Sequence, residues 1–312
     1  MNKGIIEMPE NYQHHMTLGQ IAFEEERFNE ALNHFQLAYN LENQLEANRW
    51  LVKSALVLNE YALAETVMEE RLNDYLTDND SLRLYIEALV GLKKFQRARL
   101  FIEVYAQGTS KEELMVLLNQ MEEQTVRFEG AKVQKSIGKL SSWYPEPHEI
   151  TSFLEQLNQL PYESFLKLVT QVLADANHSL MLRNQLLNML TLLKVEQHVK
   201  ILNYKDEWQE VSPKELEVLG RETTYLQVSA ILNKLVGEQP NVLNQLLADQ
   251  RRFFNILYPL AQQEIQSIEN WLSVTLAPYN GVVRLPIDQQ LEEDVEELDV
   301  FNIIIEKMGL KK

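Results

Sequence analysis

Apolar residues recur along most of this chain at intervals of three and four, the spacing that lines one face of a helix. In the first hundred residues the pattern also repeats over a longer distance. Phe28-Asn29-Glu30-Ala31 is echoed by Tyr61-Ala62-Leu63-Ala64 and by Phe95-Gln96-Arg97-Ala98, so an aromatic-x-x-Ala unit returns after 33 and then 34 residues. Each copy follows one helical pattern and opens another. A period in this range predicts helix pairs that stack on their neighbours, because a single pair buries too little apolar surface to stand alone.

The first copy is the fullest: Leu18 and Gly19 on one helix, Ala31, Phe35 and Ala38 on the next. Two antiparallel helices approach closely only where side chains are small, which suits Gly19 and the alanines, while Phe28 and Phe35 fill the space around that contact. In the second copy Val52, Met68 and Arg71 stand at the glycine, aromatic and last alanine positions; in the third they are Ile86, Ile102 and Tyr105. The set resembles the tetratricopeptide repeat (TPR) family. That resemblance implies a superhelical array whose first helices line a concave groove for a protein segment. Carried over residue by residue, the groove positions are Met16, Gln20 and Phe23, then Arg49, Lys53 and Leu56, then Arg83, Glu87 and Val90. Arg49, Lys53 and Arg83 imply capture of an acidic or C-terminal carboxylate peptide, as in part of the carboxylate clamp of some members. Met16 and Glu87 depart from that clamp.

A fourth echo, Phe128-Glu129-Gly130-Ala131, lies beyond Ser110-Lys111-Glu112-Glu113, which reads as a capping box opening a helix to about Phe128. Between a fourth repeat and a long helix closing the array, the expectation is the long helix, since end repeats are atypical. Trp143-Tyr144-Pro145-Glu146-Pro147 then breaks the pattern. The expected division is 1–142, the repeat array, and 143–312, a helical C-terminal domain. Helices are expected at 149–160, 162–175 and 180–193, as an irregular continuation of paired helices. Two β-prone runs around Lys205-Asp206-Glu207 predict a small hairpin near 198–211. Ser212-Pro213-Lys214-Glu215 predicts a helix to about Val236. The next helix is expected from near Asn241 through Trp271, with a kink at Pro259. Asn280-Gly281 reads as a turn and 282–287 as extended. A last helix follows Glu292, with Phe301, Ile304, Ile305 and Met308 on an apolar face that covers the chain's own core or, alternatively, a second copy's. The fold class is therefore mainly all-α. In outline it is similar to bacterial cytoplasmic proteins with an N-terminal TPR array and a helical C-terminal region.

Composition sharpens this picture more than it extends it. Only ten glycines and nine prolines occur in 312 residues, fewer than a turn-rich sheet protein needs. A net charge of −17 works against nucleic-acid phosphates and anionic lipid. No cysteine is present, which removes disulfides and thiolate chemistry. No apolar run approaches a membrane span, and the first ten residues do not read as a signal peptide, so the expected location is the cytoplasm. Phosphate-cradling loops, HExxH and nucleophile elbows are absent from the sequence. His14 and His15, being adjacent, point about 100° apart on a helix and do not readily share a metal. The acidic runs read as solvated faces or helix starts. No cofactor, metal or catalytic residue is expected. The functional expectation is a non-enzymatic protein-binding module, with a peptide- or ligand-gated regulator, in which groove binding reorients the C-terminal domain, as the alternative.

Overall fold

The structure, a computed structural model, describes residues 11–279 and 296–309. It is mainly α-helical, with one two-stranded antiparallel sheet among the described residues. The expected turn at Asn280-Gly281, the extended run 282–287, the acidic start at Glu292 and the first ten residues lie outside the described part. The described residues fall into two compact units: those up to 140 with 151–165, and 141–150 with those from 166 on. The first unit thus takes in residues 151–165, past the division expected at 142.

The first unit begins with α1 (Tyr12–Glu24), α2 (Phe28–Leu41), α3 (Leu45–Val57) and α4 (Tyr61–Glu69). A single turn, α5 (Leu72–Tyr75), precedes α6 (Asn79–Gly91) and α7 (Phe95–Tyr105). Helices α1/α2, α3/α4 and α6/α7 are joined by one turn used three times. Glu26, Asn59 and Lys93 take left-handed φ values of 60, 60 and 58°. The next residue's N–H then reaches back to Ala22, Ala55 and Leu89 carbonyls, at 2.8 Å each. These bonds satisfy the open carbonyls at a helix end.

Packing follows the repeat. Ala31, Ala64 and Ala98 are fully buried, and so are Phe35, Met68 and Ile102. A methyl group added at Gly19 would lie 2.6 Å from the Phe35 ring, so the first helix pair touches where the glycine is. The last alanine position is not kept: Ala38 is buried, Arg71 is partly exposed and Tyr105 is 42% exposed. In the second pair α4 stops at Glu69, and Tyr75 of α5 fills the core instead, donating to Asn48 Oδ1 at 2.7 Å.

Helix α8 (Gly108–Ser141) runs for 34 residues with a kink at Glu129. It opens at Gly108, two residues before the expected Ser110 cap, because Gly108 takes a φ of +58° and turns the chain directly into the helix. Leu114 and Leu118 join the core of the repeats. Arg99 of α7 pairs with Glu122 of α8 at 3.0 Å, both nearly buried, and lies 4.3 Å over the Tyr162 ring. Burial holds the Glu122 carboxyl above the usual range, although Arg99 opposes that shift. Helix α9 (Ile150–Asn158) completes this unit together with the first turn of α10 (Tyr162–Leu173).

The second unit contains α11 (Leu180–Leu192) and a hairpin of β1 (Val199–Leu202) and β2 (Trp208–Val211), with Val199 opposite Val211 and Leu202 opposite Trp208. The Asn203 side chain shapes the turn by accepting from the Lys205 and Glu207 N–H groups, at 2.9 and 3.0 Å. Tyr204 carries the hairpin into a core built by α12 (Thr223–Val236), α13 (Pro240–Leu257), α15 (Ile268–Leu276) and α16 (Glu296–Lys307). The short α14 (Ala261–Glu264) separates α13 from α15.

Two expectations fail here. Ser212-Pro213-Lys214-Glu215 opens only a single 3-10 turn, and α12 starts at Thr223. Lys214 N–H is held by the Val195 carbonyl, and Gly220 at φ +78° breaks any continuation. The expected helix through Pro259 is instead three helices, since Pro259 cannot supply the N–H that a continuous helix needs. The apolar face of α16 packs within the chain: Ile304 is buried, and Phe301 meets Phe253 edge-to-face at 5.4 Å. No helix among the described residues is long and apolar enough to cross a membrane.

Candidate functional site

Helices α1, α3 and α6 carry the residues expected to face a partner. Met16 and Val90 do not: they are 2% and 4% exposed and belong to the core. Both are apolar, and burial among the other core residues is what favours them there. Gln20 is half-buried, Leu56 packs partly against the core, and Arg49, Lys53, Arg83 and Glu87 retain access to solvent.

The exposed members are not independent. Phe23 stands edge-on to Trp50 at 5.3 Å, Trp50 stacks on the buried Phe35 at 5.4 Å, and the Lys53 ammonium lies 4.9 Å over Trp50. Trp50 therefore joins two of the expected residues into one aromatic platform with a cation above it. The repeat register assigns Trp50 no groove position. Its place between Arg49 and Lys53, three residues before the lysine on the same helix, was the available signal.

Arg83 and Glu87 neutralise each other one turn apart, at 3.0 Å. Arg49 reaches from α3 to the start of α6. Its Nη2 donates to Ser81 Oγ at 3.0 Å and touches Asp78 Oδ2 at 3.4 Å. Its Nε is buried with no hydrogen-bond partner among the described residues. Asp78 is the N-cap of α6, accepting from the Ser81 N–H at 2.9 Å; that bond comes first among the causes holding its carboxyl below the usual range. The same Asp78 lines a cavity of about 490 Å³ with Leu76, Thr77, Asn79, Val104, Tyr105 and Gln107. Val104 and Tyr105 are 53% and 42% exposed.

The histidines meet in a way that adjacency did not suggest. His15 of α1 faces His34 of α2, Nδ1 to Nδ1 at 3.2 Å, and burial lowers the His34 pKa. Among the described residues no three His, Asp or Glu side chains converge as a metal centre would require.

Chemically, the face offers one half-satisfied guanidinium, one ammonium over an indole, a neutralised Arg–Glu pair and an adjoining cavity with an apolar wall. Comparison with protein families, with curated proteins and with solved structures finds no match.

Proposed function

We propose that this chain is a TPR-type repeat protein that captures an acidic peptide segment of a partner on the face formed by α1, α3 and α6, without catalysing a reaction. The observation that carries the reading is the state of Arg49: a partly exposed guanidinium with an unpartnered buried Nε, a bond to the Ser81 hydroxyl and only a long contact to a carboxylate, that of Asp78. Exposed ion pairs contribute about 0–1 kcal/mol, so a peptide carboxylate can take the place of Asp78 at little cost. Lys53 is similarly available, since its side chain is exposed and an ammonium in that setting over an aromatic ring is held by about 0.5–1 kcal/mol. The repeated turn and the matched burial of the alanine and aromatic positions support stacked helix pairs. A cytoplasmic setting fits a chain without cysteine.

The test is fluorescence anisotropy with labelled peptides ending in several Asp or Glu residues, against charge-reversed versions. The wild type binds the acidic set, and Arg49→Glu with Arg83→Glu abolishes binding while the circular-dichroism melt is unchanged. Equal binding of both peptide sets, or retention by the double variant, removes the assignment.

A further inference from the structure

The second unit holds a buried cation that two acids influence only through their fields. Arg183, in the first turn of α11, is 5% exposed. Its Nε and Nη1 have no hydrogen-bond partner among the described residues. A guanidinium remains charged at any pH in which a protein folds, and burying it without a counter-charge is strongly unfavourable. Burial pulls its pKa down, and the acids whose fields oppose this are Asp206 and Asp175. Both are committed elsewhere. Asp175 accepts from the Tyr144 hydroxyl at 3.1 Å and from Asn177 N and Nδ2 at 2.9 and 2.8 Å. Asp206 accepts from Lys307 Nζ at 2.6 Å.

Two neighbouring features have the same polarity. Helix α11 is 13 residues long and presents its N-terminal end here, with Ser179 Oγ capping only the Leu182 N–H, at 3.3 Å. Such an end carries partial positive charge and favours anions. His178, 3% exposed, precedes the cap and lies against the Tyr144 ring at 4.6 Å. Burial lowers its pKa; Asp175, 3.9 Å away, opposes this and the Arg183 charge adds to it, so the site disfavours a second cation here.

We infer that the junction between α10 and α11 is a binding site for a small oxyanion, a phosphate or carboxylate group, held by Arg183 at the N-terminal end of α11. Carboxylate and phosphate oxygens match the planar donors of a guanidinium, and a partly buried site strengthens such bonds. The anion enters against the average field of a chain with net charge −17, so affinity comes from these local groups. The inference concerns the second unit and does not rest on peptide capture by the first.

The test is titration calorimetry and thermal melting of the full chain with inorganic phosphate and, separately, acetate, at ionic strength fixed with sodium chloride. The wild type shows saturable binding and a rising Tm with at least one of the two, and the anion that saturates at the lower concentration identifies the chemistry. Arg183→Leu binds at least about tenfold more weakly, as expected for a lost charge-assisted bond. Arg183→Lys, which keeps the charge but not the fork, falls between them. In the wild type the Arg183 Nε–H resonance moves with the added anion. No saturable response to either anion, the same response in Arg183→Leu, or a stationary Nε–H resonance overturns the inference.

Discussion

Asp78 does two jobs at one atom group, and they can be separated. It caps α6 and it holds Arg49. Asparagine caps a helix as well as aspartate does, so Asp78→Asn keeps the first role and removes the charge of the second. Acidic peptides are then expected to bind up to about fivefold tighter in anisotropy titrations, the span of a weak exposed ion pair. Asp78→Ala loses the cap and costs about 0.5–2 kcal/mol in urea unfolding at neutral pH. The Asp78 pKa is lowered from 3.8 in the folded chain, chiefly by the Ser81 N–H. Its contribution is therefore present above that value and is lost as pH falls through the lower folded pKa. The gap between wild type and Asp78→Ala should close below pH 3.8, and a gap that stays constant would mean the carboxylate plays no part in the cap.

The repeated turn at Glu26, Asn59 and Lys93 shows what a helix-pair pattern conceals. Left-handed backbone usually announces itself by glycine, and none of the three positions has one. The period of the aromatic-x-x-Ala unit was readable, and so were Gly19, Ala31 and Phe35. The turn geometry was not, because the residues that adopt it are not glycines and the bonds that close it, to Ala22, Ala55 and Leu89, come from the residues that follow them. Glu26→Gly should raise stability by about 0.5–1 kcal/mol in urea unfolding, by relieving the left-handed conformation.

Gly19→Ala should act in the opposite sense. The added methyl meets Phe35, whose ring is fully buried and stacked on Trp50 and so has nowhere to move. A loss of about 1–3 kcal/mol is expected by urea or heat. Gly91, which packs on the Tyr61 ring, escaped notice because it lies five residues beyond the position the pattern assigns to glycine.

The failure at Ser212 has the same kind of cause. A cap sequence states only a local preference, and the bond from Lys214 to Val195 together with Gly220 outweighs it. Between α7 and α8 the nearly buried Arg99–Glu122 pair gives another element-level expectation. Arg99→Leu alone should cost about 3–5 kcal/mol by stranding Glu122, whereas Arg99→Leu with Glu122→Leu should be neutral or stabilising by about 1–4 kcal/mol. Two variants of equal stability would show that the pair is not coupled.

At the scale of the molecule, a strongly acidic chain concentrates usable positive charge at few places. Many of the basic side chains are spent on neighbours, such as Lys94 and Arg97 on Glu65, Lys205 on Glu264 and Lys307 on Asp206. Arg49, Arg99 and Arg183 carry buried nitrogens without partners among the described residues; Arg99 has Glu122 beside it at 3.0 Å and Arg49 only the longer contact to Asp78 at 3.4 Å. The sequence exposed Arg49 because it falls in a repeat register. It hid Arg183 because nothing in the order of residues says that Asp175 and Asp206 will be engaged by Tyr144 and Lys307.

The central claim is that the face of α1, α3 and α6 holds a segment of a partner. The most direct measurement places a photo-crosslinking amino acid at position 53, and in a parallel sample at position 66, where Thr66 is exposed on α4. Irradiation in cell extract is predicted to give a discrete protein adduct from position 53, absent from position 66 and lost when Arg49→Glu and Arg83→Glu are added. Adducts of equal yield from both positions, or an adduct at 53 that survives those two substitutions, would contradict it.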